Sequence, residues 1–154
     1  MSKLYDIRQA VKSLLLQGGL WEDGEVLIKR RTQIWNDVAV ATGASNHGQC
    51  LVVGVAKGNS SNKQNARSKR LLMDITIPVT LIELPTVSDE EPSDYATTDE
   101  DTRWEETVMR LLGDPLGRSA EHYELTFDGF EEVDDEDYVI RQTTFKTTLL
   151  LTPA

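Results

Sequence analysis

The stretch Leu72–Leu84, LMDITIPVTLIEL, alternates apolar and polar side chains with a period of two. Its apolar positions are Ile75, Ile77, Val79 and Leu81, and its polar positions are Asp74, Thr76 and Thr80. This alternation predicts a β-strand with one face in the core. Pro78 cannot donate a main-chain hydrogen bond, so it indicates either an edge position or a bulge in that strand.

Four further segments favour strands in the same sheet. The valine-rich run before the alternating stretch is almost wholly apolar, which predicts a central strand covered on both faces. Of the other three segments, the first alternates imperfectly, the second alternates cleanly, and the last is long and rich in Thr, Val, Ile, Phe and Leu. The four segments are Glu25–Arg31, Gln49–Ala56, Tyr123–Phe130 and Tyr138–Leu151.

Two segments predict amphipathic helices. In residues 3–17, apolar side chains recur every three or four positions, at Leu4, Ile7, Val11, Leu14 and Leu15. The second helix begins at Thr98–Asp101, where acids suit the positive end of the helix dipole, and stops at Gly113–Pro115. Its inner stripe is Trp104, Thr107, Val108, Leu111 and Leu112. Residues 37–49, DVAVATGASNHGQ, are interpreted as a small-residue stretch that ends in a turn.

The order of these elements predicts one α+β domain over residues 1–154. The hairpins favour an antiparallel or mixed sheet of four to five strands, with the two main helices packed on one face. Long loops are expected at residues 57–70 and 85–97. No apolar run approaches the roughly 18 residues that a membrane helix needs. The single cysteine, Cys50, cannot form an internal disulfide, which favours a reducing cytoplasm as the place of synthesis.

The charge is distributed unevenly along the chain. The net charge is -10, yet residues 1–70 carry 11 basic and 5 acidic residues. The segment KGNSSNKQNARSKR, residues 57–70, has five basic residues and no acid, whereas residues 131–137 contain six acids. The basic segment has three interpretations: a solvated loop tip, a nucleic-acid contact, or a contact with an acidic partner surface. The total negative charge argues against the nucleic-acid contact, because such affinity grows with basic contacts to phosphate.

Residues that could carry chemistry are sparse. His47 and His122 each stand alone, without Cys or acid at metal-ligand spacing. Cys50 opens an apolar strand, which suits packing better than nucleophilic chemistry. The run 131–137 lacks the spacing and central glycine of a calcium loop, so it is interpreted as a solvated hairpin tip. We therefore expect no catalytic residue, metal or cofactor, and we expect that the chain is not an enzyme.

The element order resembles that of the tail terminator, or tail completion, proteins of long-tailed bacteriophages. The resemblance rests on a first helix, a second helix and a last hairpin, with a long hairpin and an acidic connector between the two helices. These three segments are YDIRQAVKSLLLQ (5–17), RWEETVMRLLG (103–113) and HYELTFDGFEEVDDEDYVIRQTTFKTTLLL (122–151). The resemblance covers most of the chain, and it includes no catalytic signature.

The resemblance implies a structural role in the neck region of the virion tail. Subunits of this family form a homohexameric ring that caps the tail tube protein and presents a surface to the head-side connector, while DNA passes through unread. The basic segment would then contact a neighbouring subunit or the tube, and acids would be its partners. On charge, the candidate residues are Lys57, Lys63, Arg67, Lys69, Arg70, Glu100, Asp101, Asp134, Asp135, Glu136 and Asp137. The alternatives are another head–tail joining component and a nucleic-acid-binding module that uses residues 57–70.

Overall fold

Six strands and three α-helices make up the described part of the chain. The computed structural model describes residues 3–28, 34–55, 57–60, 69–84, 94–113 and 124–151, without the side chains of residues 94–101 and 134. The helices are α1 (Lys3–Leu16), α2 (Trp35–Ala44) and α3 (Asp94–Leu111). The strands are β1 (Val26–Ile28), β2 (Gln49–Val53), β3 (Lys57–Ser60), β4 (Leu71–Glu83), β5 (Thr126–Asp134) and β6 (Val139–Leu151).

The strands form one open, mixed sheet in the order β1-β2-β4-β6-β5, with β3 also paired to β4. Only β1 and β2 run parallel; every other pair is antiparallel. The long strands β4 and β6 pair over their whole length, from Leu71 opposite Leu151 to Glu83 opposite Val139. The predicted mixed α+β class is confirmed, but the sheet has six strands and not four to five, and there are three helices and not two.

Strands β2 and β3 follow one another along the same side of β4. From Val53 to Lys57 the chain advances four residues, while their partners Val79 and Thr76 are three residues apart, so one extra residue bulges there. Pro78 lies opposite this break, and its carbonyl accepts a hydrogen bond from the Gly54 N–H at 3.1 Å. The edge position is therefore wrong for Pro78, because β4 has partners on both sides, and the bulge is the correct alternative.

The helices α1 and α3 cover one face of the sheet. The predicted stripe of α1 is buried at Ile7, Val11 and Leu15, and α3 buries Leu111 against the same core. The sheet contributes the odd-numbered side chains of β4 and β6, among them Ile75, Ile77, Val79, Leu81, Phe145 and Leu149. Leu112 does not belong to the inner stripe as predicted, because it is 41% exposed.

The helix α2 covers part of the opposite face and was not predicted. Residues 37–44 continue a helix that begins at Trp35, and Val38, Ala41 and Thr42 are its buried positions. Val38 and Ala41 pack with Cys50, Val52 and Ile82 in a second, smaller core. All five residues of β2 are buried, which confirms a strand covered on both faces. Packing against β2 therefore outweighs the weak helix propensity of the valines and threonine in α2.

Three predicted boundaries are wrong, two of them because strand pairing extends further than local patterns indicate. Residues 57–60 of the predicted basic loop form β3, and α3 begins at Asp94 within the predicted connector. In the last hairpin, β5 continues to Asp134, so the acids 131–134 belong to a strand and only residues 135–138 form the turn. Residues 29–31, 56, 61–68, 85–93 and 123 of the predicted strands and loops lie outside the described residues, as do residues 114 and 115 at the predicted end of the second helix.

Candidate interaction surfaces

The candidate basic and acidic residues lie towards opposite ends of the long strands. Lys69 and Arg70 directly precede β4, and Lys57 pairs with Thr76 in the first half of that strand. The acidic turn follows Asp134 and precedes Val139, which pairs with the last residue of β4. Since β4 has 13 residues, its two ends are about 40 Å apart at the usual strand rise.

All described members of the two charged groups are exposed. They are Lys57, Lys69 and Arg70 on one side, and Asp135, Glu136 and Asp137 on the other. Lys63 and Arg67 lie outside the described residues. Glu100, Asp101 and Asp134 are placed on α3 and β5, but their side chains are not described. Because about 40 Å separates Lys69 and Arg70 from the acidic turn, these opposite charges can meet only between two molecules.

A second feature is a buried polar cluster around Arg103, which sequence reasoning did not find. The Arg103 guanidinium donates to the Leu20 carbonyl at 2.8 Å, to Gln49 Oε1 at 2.8 Å, and to both Glu25 oxygens at 2.9 and 3.1 Å. It lies 3.6 Å from the centre of the Trp21 ring. Trp21 in turn donates to Thr107 Oγ1 at 2.7 Å. The cluster joins α3 to the turn before β1 and to the start of β2.

The carboxylate of Glu25 is held ionised by its neighbours. Burial raises the pKa of this carboxyl, but hydrogen bonds from the Ser45 hydroxyl, the Glu22 N–H and Arg103, together with the Arg103 charge, outweigh burial. The pKa therefore lies below its ordinary value of 4.5. Ser45 Oγ and the Glu22 nitrogen lie 2.5 Å and 3.0 Å from the carboxylate oxygens of Glu25. All these partners belong to the chain, so the cluster is a structural ion pair.

We expect the stability of the fold to depend on pH through Glu25. Because its folded-state pKa is lowered, its contribution is complete above 4.5 and is lost as the pH falls through the folded-state value. Urea midpoints measured from pH 7 to pH 3 should fall for the wild type, and Glu25→Gln should start lower and fall less. Glu105→Gln, an exposed change on α3, should follow the wild type. If the urea midpoints of the wild type and Glu25→Gln fell equally with pH, the lowered pKa of Glu25 would not contribute to stability.

An apolar surface lies where α3 runs along β5. Trp104 packs edge-on against Phe130 at 4.9 Å, and Gly113 pairs with Leu125 at the other end of this contact. Two large side chains of β5 stay exposed there: Phe127 (41%) and Phe130 (54%). We refer to these two residues as the α3–β5 patch.

A β-bulge places both phenylalanines on the side of α3. Phe127 contacts Phe145 of the main core, and Phe130 contacts Trp104 of α3, although regular alternation would put positions 127 and 130 on opposite faces. The register shifts between Phe127 and Gly129, and Gly129 has φ +148°. The alternation predicted for residues 123–130 is therefore broken at Asp128. The glycine was the available signal, since glycine within a strand often marks a bulge.

The uncovered part of the opposite sheet face forms a groove of about 490 Å³ beside α2. Trp35 at its rim is 51% exposed and stacks on Tyr138 at 5.7 Å. The described side chains that line the groove are aliphatic or aromatic, or carry a hydroxyl or amide group. They include Thr76, Pro78, Thr80, Gln142 and Thr144. None of these described side chains ionises near neutral pH, so the groove offers contact surface and no acid–base pair.

The candidate chemical residues are not brought together in the described part of the chain. His47 is exposed, and His122 lies outside the described residues. Burial, reinforced by the Glu25 charge, raises the pKa of the Cys50 thiol to about 12, so the thiol stays protonated and packs in the small core. Among the described residues, no group of three or more His, Cys, Asp or Glu could hold a metal ion. None of the described helices combines the length and apolar character needed to cross a membrane.

The sequence matches no model of a known protein family, and a search of curated proteins also finds no match.

Proposed function

We propose that the chain is a structural, ring-forming protein of a phage tail or a related contractile machine. In this role it caps the tail tube and presents the interface to the head-side connector. The observation that carries the proposal is that exposed Lys69 and Arg70 lie at the opposite end of β4 and β6 from the acidic turn, residues 135–137. The element order that resembles tail terminator proteins supplies the tail assignment.

The charge separation favours head-to-tail contact between identical subunits. When one patch of a subunit binds a different patch of the next subunit, each subunit can bind two neighbours. The subunits then form a closed ring if the rotation from one to the next adds up to a full turn. Contact of a patch with its own copy would instead place like charges together. The charge pairs would orient the subunits and speed their encounter, while apolar contacts would hold the ring together.

Native mass spectrometry of the chain over a range of concentrations tests the ring. We expect a hexamer for the wild type, and loss of that species when Lys57, Lys69 and Arg70 are all changed to Glu. A second variant, with Asp135, Glu136 and Asp137 changed to Lys, should also be monomeric alone. An equal mixture of the two variants should recover mixed oligomers, because each then supplies one complementary patch. Two variants that stay monomeric when mixed would contradict the charge-pair contact.

The tail role needs a separate measurement. Preformed tail tubes, viewed by electron microscopy, should carry the wild-type protein at one end and should stop growing when it is present. A monomer that does not bind tubes but shifts duplex DNA, with the shift lost in the Lys57/Lys69/Arg70→Glu variant, would overturn the proposal. That outcome would make residues 57–70 a phosphate contact, whose affinity should fall steeply with salt.

A further inference from the structure

We propose that the aromatic pair Trp35 and Tyr138, together with the acidic turn beside it, binds the Arg70 guanidinium of a second copy of this chain. The guanidinium would lie against the Trp35 ring, and the carboxylates of the turn would lie beside its charge. The inference rests on the proposed ring-forming function and adds the side chains at which the two oppositely charged ends meet.

Trp35 lies at the acidic end of the long strands. It begins α2, and its ring stacks on Tyr138 with the ring centres 5.7 Å apart and the planes 18° from parallel. Tyr138 directly follows the acidic turn, and its carbonyl accepts a hydrogen bond from the Asp135 N–H at 3.1 Å. The aromatic pair and the acidic turn are therefore neighbours on one surface.

The Trp35 side chain stays half exposed although it is large and aromatic. It is 51% exposed, whereas Trp21 is 2% exposed. Tyr138 stacks on its ring, and the groove beside α2 opens next to it. Aromatic side chains are enriched at the centre of protein–protein contacts, where a ring of this kind becomes fully buried. Trp35 is therefore well placed to bury further area against a partner.

Charge determines what kind of group would cover Trp35. The acidic residues before Tyr138 are exposed, namely Asp135, Glu136 and Asp137. The face of an aromatic ring is also negative, and it attracts a cation within about 6 Å of the ring centre. Arginine suits both features better than lysine, because its planar guanidinium stacks on aromatic rings and donates two parallel hydrogen bonds to a carboxylate.

The fold already contains two contacts of this kind. Arg103 lies 3.6 Å from the centre of the Trp21 ring. Arg141 lies 4.7 Å from the centre of the Trp104 ring. Each guanidinium also forms an ion pair with a carboxylate. Trp35 has the same combination of a tryptophan ring and neighbouring carboxylates, and the described residues place no arginine on its ring.

Arg70 of a second copy is the group that fits this surface. It is exposed beside Lys69, directly before β4. About 40 Å separates this end of the strand from the acidic turn, so Arg70 cannot reach Trp35 of its own subunit. In the proposed head-to-tail contact, this end of one subunit meets the acidic turn of the next. The contact that pairs the charges therefore also brings Arg70 to the Trp35 ring.

Disulfide trapping tests the contact directly. Lys69→Cys, which keeps Arg70, is mixed in equal amounts with Asn36→Cys, an exposed position next to Trp35, and the mixture is oxidised mildly. The native Cys50 is fully buried, so it should not interfere. We expect a mixed disulfide, identified by peptide mass spectrometry. Lys69→Cys should form none with Ser13→Cys, which lies on the exposed side of α1.

A double-mutant cycle supplies a second readout. Trp35→Leu and Arg70→Gln should each weaken self-association roughly ten-fold, the loss typical of a contact that matters to binding. Combined in one chain, they should weaken it by less than the product of the two losses, because either change alone already removes the contact. Lys69→Gln removes the same charge without a guanidinium, so its loss should multiply with that of Trp35→Leu.

A further variant controls for changes on α2 in general. Val40→Gln, at a valine that is 74% exposed on this helix, should leave self-association unchanged. Circular dichroism should show that all these variants remain folded.

The outcomes separate this inference from the function it rests on. If the wild type forms rings, but Trp35→Leu assembles like Val40→Gln and no disulfide with Asn36→Cys forms, the inference is overturned and the ring stands. If Trp35→Leu weakens binding to tail tubes and leaves self-association unchanged, the tube protein and not a second copy covers Trp35. If the wild type assembles neither alone nor on tail tubes, both are overturned. The mixed disulfide, together with coupling of Trp35 to Arg70 and not to Lys69, supports both.

Discussion

Arg103→Leu should lower the free energy of unfolding by about 3–5 kcal/mol, the usual cost of removing one partner from a buried ion pair. Arg103 is 5% exposed, and its guanidinium contacts Glu25, Gln49 and the Leu20 carbonyl. The substitution would leave the Glu25 carboxylate buried beside an apolar side chain and would remove the donors of these hydrogen bonds. Urea denaturation at pH 7, followed by tryptophan fluorescence and circular dichroism, measures the loss.

Two further variants show whether the loss arises from the ion pair. Glu105→Gln is an exposed change two positions along α3 and should alter stability by less than about 0.5 kcal/mol. The double variant Arg103→Leu/Glu25→Leu should lose less than the two single variants added together, because it removes the unpaired charge as well as the pair. A loss below about 1 kcal/mol for Arg103→Leu would mean that water replaces the missing hydrogen-bond partners. It would contradict the description of the Arg103 cluster as buried away from water.

Phe145→Ala should cost about 3–5 kcal/mol, as expected when a large aromatic side chain is removed from a packed core. Phe145 is fully buried and lies at the centre of β6, between β4 and β5. Its partners are Ile77 on β4 and Phe127 on β5, and its ring meets Phe127 edge-on at 5.9 Å. Two well-paired strands limit how far the site can collapse around the cavity. Thermal and urea denaturation of purified protein give the change.

Phe130→Ala is the matched control, since it removes the same side chain from the neighbouring strand. Phe130 is 54% exposed, so we expect a loss of about 1 kcal/mol or less. Equal destabilisation by Phe130→Ala and Phe145→Ala would contradict the difference in burial on which the α3–β5 patch depends.

Much of the fold could be predicted where the signal is local. The alternation in Leu72–Leu84 and the stripe Ile7, Val11 and Leu15 correspond to β4 and α1 within a residue or two. Each of these elements buries one side against the core, so its apolar residues recur at the same spacing as its buried positions. The apolar run of β2 likewise indicated a strand covered on both faces, which the helices on the two sides of the sheet now explain.

The predictions of secondary structure failed where contacts with another element determine the local structure. Residues 37–44 have weak helix propensity, and they form α2 because β2 offers an apolar surface for Val38 and Ala41. The polar residues 57–60 form β3 because β4 extends beyond β2 and leaves an edge to pair with. In each case the stabilising contact joins two separate elements, so the residues of α2 or β3 taken alone do not show it.

The amino-acid sequence alone determined the unequal distribution of charge, the strand and helix periods of the main elements, and the scarcity of residues for catalysis. The tertiary structure was needed to pair Arg103 with Glu25 across 78 positions, and to place the basic and acidic residues at opposite ends of β4 and β6. It was also needed to bring Phe127 and Phe130 to one face through the bulge at Asp128. Periodicity is a property of neighbours along the chain, whereas ion pairs, strand register and exposed patches depend on which segments come together when the chain folds.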